Sequence, residues 1–139
     1  MTDNEPNVRI RFEDFEFEQR PDGSCSARVV LAWDEGKRFT GSAEGITSEL
    51  GVLRCAADAT TQALELAVDK RAKLDLQGVT TIKAFDTVVV VVSIASTIDG
   101  HTQRVVGSTV VDGDPGRAAV RAVLSATNRL LEGNTIFVR

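Results

Sequence analysis

The chain runs through the same order of elements twice, and this repetition limits its fold more than any other feature. Residues 8–70 read as strand, strand, strand, helix, and residues 73–133 repeat that order. At an offset of about 66 residues, Thr40-Gly41-Ser42 lies over Val106-Gly107-Ser108. At the same offset Ala56 lies over Ala122, Thr61 over Thr127, Gln62 over Asn128 and Leu64 over Leu130. The turn Asp34-Glu35-Gly36 corresponds to Asp99-Gly100. Two copies make a duplicated domain, whereas a solenoid needs more. The expectation is one domain over residues 1–139, with residues 1–6 disordered.

Local patterning supports each element. Apolar residues alternate at Val8, Ile10 and Phe12, then again at Phe15 and Phe17, which marks a half-buried strand. The phase slips at Glu13-Asp14, so a β-bulge is expected there. Pro21-Asp22-Gly23 is a turn signal. A second strand follows through Arg28–Trp33 and a third through Arg38–Ala43. The period then changes. Leu53, Ala56, Ala57, Thr60, Ala63, Leu64 and Ala67 recur every three or four residues, the stripe of an amphipathic helix over about Ser48–Asp69. Ser48 or Thr47 is placed to cap it.

In the second half a strand passes through Leu74, Leu76, Val79, Thr81 and Lys83, and a second through Val88–Ile94. Asp99-Gly100 is a hairpin turn. The third strand is Arg104–Val110. Asp114-Pro115 opens a helix whose stripe is Ala119, Val120, Val123, Thr127 and Leu130, and Gly133 ends it. Thr135–Arg139 has the pattern of a further short strand.

These elements predict an α+β fold. Two strand-strand-strand-helix units are related by pseudo-symmetry, with antiparallel sheets and two helices packed on one face. The other face is a problem at Val88 to Val92. A run apolar on both sides of its strand must be covered on both sides. The helices cover one. A second subunit is expected to cover the other, giving a homodimer; the alternative is that Trp33 and phenylalanines of the same chain do.

Composition narrows the function. The chain has 139 residues, 42% hydrophobic and 26% charged, with a net charge of -4. No basic stripe points to nucleic acid. Arg117, Arg121 and Arg129 share one helix and read as its solvated face. Glu13, Glu16 and Glu18 read as solvated, edge-protecting acids. Cys25 and Cys55 form no CxxC pair and His101 is the only histidine, so ligands for a Cys/His zinc site are lacking. Cys55 reads as a small buried thiol, and Cys25, next to a turn, as partly exposed. Asp112 and Asp114 are too few oxygens for a calcium loop, and a capping role accounts for Asp114. No phosphate-binding glycine motif occurs. The polar start and the short apolar runs fit neither a signal peptide nor a membrane span. A cytoplasmic protein that is not an enzyme and carries no cofactor is the expectation.

The repeated units, with Gly41-Ser42-Ala43-Glu44-Gly45 after the first set of strands, Gly107-Ser108-Thr109 in the second, and Ala126-Thr127-Asn128-Arg129-Leu130 in the last helix, resemble a known family. The chain is similar over residues 8–133 to the C-terminal regulatory domain of 2-isopropylmalate synthase and its homocitrate and citramalate relatives. The family's first glycine-rich stretch often has glycine at three alternate positions, and here the middle one is Ala43. The resemblance implies a non-catalytic dimerisation module that binds a small amino acid or related metabolite. The family's condensing barrel is absent. The implied ligand site is Gly41, Ala43, Gly45, Gly107 and Thr109, near the ends of the third strands. The alternative is a structural or protein-interaction homodimer with no small ligand, its partner unknown.

Overall fold

The computed structural model describes residues 10–33 and 36–133, and the side chains of residues 129 and 131–133 lie outside the description. The start of the first strand at Val8, the segment 1–6, most of the turn Asp34-Glu35-Gly36 and the tail 135–139 lie outside the described residues. The element order is β1 (Arg11–Gln19), β2 (Ser24–Ala32), β3 (Arg38–Ile46), α1 (Glu49–Ala67), β4 (Ala72–Ala84), β5 (Thr87–Ile98), β6 (His101–Val110) and α2 (Pro115–Gly133). The repeat of strand, strand, strand, helix is therefore present, in an α+β fold with two antiparallel three-stranded sheets ordered β1-β2-β3 and β4-β5-β6.

Local chemistry explains the boundaries. The register of β1 against β2 shifts between Phe12 and Asp14, the bulge expected from the broken alternation. A second bulge, between Leu76 and Gly78, was not anticipated, although the odd spacing from Leu76 to Val79 carries the same signal. The Ser48 hydroxyl accepts from the Gly51 N–H at 3.0 Å and caps α1, and the Asp114 carboxylate accepts from Gly116 N–H at 2.9 Å at the start of α2. Asp99 and Gly100 are both left-handed, φ 54° and 80°, as a tight hairpin turn requires. The third strand is longer than its sequence pattern indicated. Glu44, Gly45 and Ile46 continue β3 and pair with β2 as far as Ser24.

Each helix covers the inner face of its own unit's sheet. Helix α1 lies on β2 and β3, α2 lies on β5 and β6, and the helices pack against one another. Each also reaches the first strand of the other unit, α1 touching β4 and α2 touching β1. The Leu74 N–H on β4 donates to the Glu65 carboxylate on α1 at 2.8 Å. The predicted stripe of α1 is buried throughout, and in α2 Ala119, Val120, Val123 and Thr127 are buried with Leu130 at the margin. The core is one contiguous cluster shared by both units.

One expectation needs correction. Cys25 is fully buried, because it faces α1 from β2 and its Sγ lies 3.6 Å from that of Cys55. Arg121 is exposed and Arg117 partly so, as a solvated face requires, and their guanidinium groups also lie over the Phe12 ring at 5.6 and 5.5 Å, where they bridge α2 to the first sheet.

Candidate functional site

The small residues of the third strands form two separate seams. Gly41, Ala43 and Gly45 alternate along the inner side of β3, and Gly107 and Thr109 along the inner side of β6. A Cβ on Gly41 would lie 2.0 Å from the Ala59 carbonyl oxygen and 2.6 Å from the Ala63 nitrogen. A Cβ on Gly107 would lie 2.2 Å from the Ala122 oxygen and 2.5 Å from the Ala126 nitrogen. Both glycines are therefore filled against helix backbone. A Cβ on Gly45 would lie 2.7 Å from Cys55 Sγ. Ala43 is half-buried against the core, and Thr109 is half-buried beside Gly107. The five residues thus lie on two sheets, three against α1 and two on the side covered by α2.

The two glycines also fix how the units superpose. Gly41 contacts Ala59 and Ala63 where Gly107 contacts Ala122 and Ala126, so the helices correspond three residues away from the offset that aligns the third strands. On the inner faces, cross-strand register equates Val29 with Val92 and Leu31 with Ile94. Continuing one step along β2 and β5 equates Trp33 with Ser96. In the first unit Trp33 packs edge-to-face on Phe39, with ring centroids 5.6 Å apart. In the second a cavity of about 130 Å3 is lined by Ser96, Ile98, Asp99, His101, Gln103 and Leu130. Ser96 is buried, and its hydroxyl has no hydrogen-bond partner among the described residues.

The outer faces, turned away from the helices, have diverged further. On the first sheet Arg28 donates to Glu16 at 2.7 Å, Arg38 forms a two-pronged pair with Glu13 at 2.9 to 3.0 Å, and Arg20 approaches Glu44 at 3.8 Å. The hydrogen bond from Arg28 to Glu16, followed by the carboxylate's charge, raises the Arg28 pKa further. An open depression of about 620 Å3 lies among Glu16, Arg20, Arg28 and Glu44. On the second sheet the middle of this face and its end nearest the β4–β5 turn are uncharged, while the far end keeps Arg104 where Arg38 stands and Asp75 where Arg11 stands. Thr80 and Val91 stand where Glu16 and Arg28 stand, and Ile82, Val89 and Val110 stand where Glu18, Ser26 and Glu44 stand.

This second outer face carries exposed apolar residues. Ile82 is 50% exposed, Val106 61% and Val110 52%. In the valine run, Val90 and Val92 point to the helices and are wholly buried, while Val89 and Val91 point outward and are half-covered. Trp33 and the phenylalanines of the first sheet belong to the other unit's inner side and do not close this face. Phe85, in the β4–β5 turn, is 98% exposed. Sequence reasoning flagged the valines and missed Ile82 and Phe85, for which the only signal was a hairpin turn lacking glycine.

Reactive groups do not converge here. Burial, then the neighbouring Cys25, pushes the Cys55 thiol up to about 12, and burial raises the Asp58 carboxyl. His101 is exposed at the start of β6. Among the described residues no group of three or more His, Cys, Asp or Glu side chains is placed to hold a metal ion, and no helix is long and apolar enough to cross a membrane.

Comparison with known proteins yields neither a matching family model nor a matching curated protein.

Proposed function

We propose that the chain is a non-catalytic self-pairing module, whose two copies meet through the outer face of β4-β5-β6. The observation that carries this reading is the divergence of two equivalent surfaces. One scaffold presents the Glu16–Arg28 ion pair on its first sheet and Thr80 beside Val91 at the same place on its second. A sheet face kept in water is served by charge, and an apolar face is served by cover. The buried Cys55 thiol, which burial holds protonated, and the exposed His101 form no nucleophile–base pair, which favours a non-catalytic role. The resemblance to a dimerisation domain points the same way.

The test is the mass in solution. Sedimentation velocity from low to high micromolar concentration is expected to show a dimer. Val106→Glu, which adds a charge to an exposed site on β6, is expected to give a folded monomer. A wild-type chain that stays monomeric throughout would end this reading.

A second reading keeps a small ligand, and the cavity at Ser96 favours it. A buried hydroxyl with no partner among the described residues, at the place of the first unit's indole, is a polar lining suited to a ligand. This moves the site away from the small-residue seams, which helix backbone fills. A thermal-shift panel of amino acids and short-chain hydroxy acids tests it. The expected result is a rise in midpoint with at least one compound that Ser96→Val abolishes; no rise with any compound counts against it.

A further inference from the structure

The hairpin joining β4 to β5 breaks two rules at one residue. Phe85 and Asp86 are both left-handed, φ 54° and 61°. Such a turn suits asparagine, aspartate or glycine, as the Asp99-Gly100 turn of the same sheet shows, and a bulky side chain is an outlier there. The ring is also 98% exposed. The residues bordering it, Lys83, Ala84, Asp86, Thr87 and Val88, belong to the same hairpin. Among the described residues nothing compensates for either cost, and sites where local rules fail without compensation are where function is expected.

The position of the hairpin gives the ring a purpose. Strands β4 and β5 pair beyond the end of β6, through Lys83 with Val88 and Ala84 with Thr87, so the turn projects past the third strand. It continues the uncharged surface of Ile82, Val89 and Val110. We propose that Phe85 is the anchor of the pairing between two copies of this chain, seated on the partner copy when the outer faces of their β4-β5-β6 sheets meet. This inference rests on the self-pairing reading above and assigns its central contact.

Area supports a second copy as the occupant. Strands of 13, 12 and 10 residues spaced about 4.8 Å apart present roughly 550 Å2 each side, or about 1,100 Å2 for a pair. A specific interface needs more than about 1,000 Å2. A phenylalanine contributes roughly 150 to 250 Å2, and a two-fold pair contains two of them. The sheet faces alone only just reach that size, and the two rings carry the interface well past it. Buried aromatic anchors of this kind dominate interface energetics.

The experiment compares the full-length chain with Phe85→Asn and Val106→Glu by sedimentation velocity and thermal melting. Asparagine tolerates the left-handed turn, so Phe85→Asn is expected to melt at or above the wild-type midpoint under conditions where both are monomeric. Its dimer dissociation constant is expected to rise at least tenfold. If Val106→Glu separates the copies but Phe85→Asn leaves the constant unchanged, the anchor is wrong and the self-pairing reading stands. If neither substitution weakens an observed dimer, both fall, as they do if the wild type is a monomer.

Discussion

At the scale of single residues, Gly41 and Gly107 show how a small residue can be misread. Both were expected to leave room for a ligand. Each instead lets a helix backbone touch a strand, the Ala59 oxygen in one unit and the Ala122 oxygen in the other. Sequence does not separate these uses, because both require only that a side chain be missing. A methyl group at either position meets backbone, which cannot swing aside. Gly41→Ala and Gly107→Ala are each expected to cost about 3 kcal/mol by overpacking, read from urea denaturation. A change under about 0.5 kcal/mol would place the helices further from the strands than described.

The buried thiols give a second expectation at this scale. Cys55 titrates at about 12 in the folded chain, raised chiefly by burial, against roughly 8.5 when unfolded. The folded state thus holds its proton where the unfolded state has lost it. Below the unfolded value the contribution to stability is complete. As pH rises from about 9 towards the folded value, it falls by roughly 1.4 kcal/mol per pH unit. Urea denaturation between pH 8 and 11 should show this slope, and Cys55→Ala should flatten it. Equal slopes for the two proteins would show that Cys55 does not control the loss. The same burial makes native alkylation of Cys55 slow at neutral pH.

At the scale of elements, much of the fold was legible. The bulge at Glu13-Asp14, the cap at Ser48, the turn at Asp99-Gly100 and the stripe of α1 all follow from local chemistry and periodicity. Less legible was anything set by partners across space. The helices align with the strands three residues away from the offset that the sequence repeat gives, because contact with each glycine, and not helix length, sets their position. The exchange of Trp33 for Ser96 was equally hidden, since equivalence depends on cross-strand register. That exchange leaves β5 with a buried hydroxyl lacking a described partner. Ser96→Val removes the unpaired group and adds apolar volume beside a cavity. It is expected to stabilise the chain by about 1 kcal/mol in denaturant titration. A loss of stability would mean that the hydroxyl is satisfied in solution.

At the scale of the whole molecule, the two units depend on each other more than their repetition implies. The inner face of the first sheet is shared by both helices. Helix α1 covers β2 and β3, while on β1 the Phe12 ring is stacked by Arg117 and Arg121, and Phe15 lies so close to Gly116 that an added Cβ would sit 2.7 Å from its ring. The second unit is tied back through Glu65 on α1, which holds the start of β4. A unit of about 60 residues buries a small enough fraction of its surface to be marginal, and here each would also lose the neighbour that covers its first strand. Fragments 1–70 and 71–139 are therefore each expected to lack a cooperative thermal transition by circular dichroism and to give collapsed amide proton dispersion. Mixed in equal amounts they are expected to recover both, because the surfaces that each lacks are those the other supplies. A first fragment that melted cooperatively alone would show that α1 closes the sheet unaided, and the shared core would then be an accident of packing and not a condition of folding.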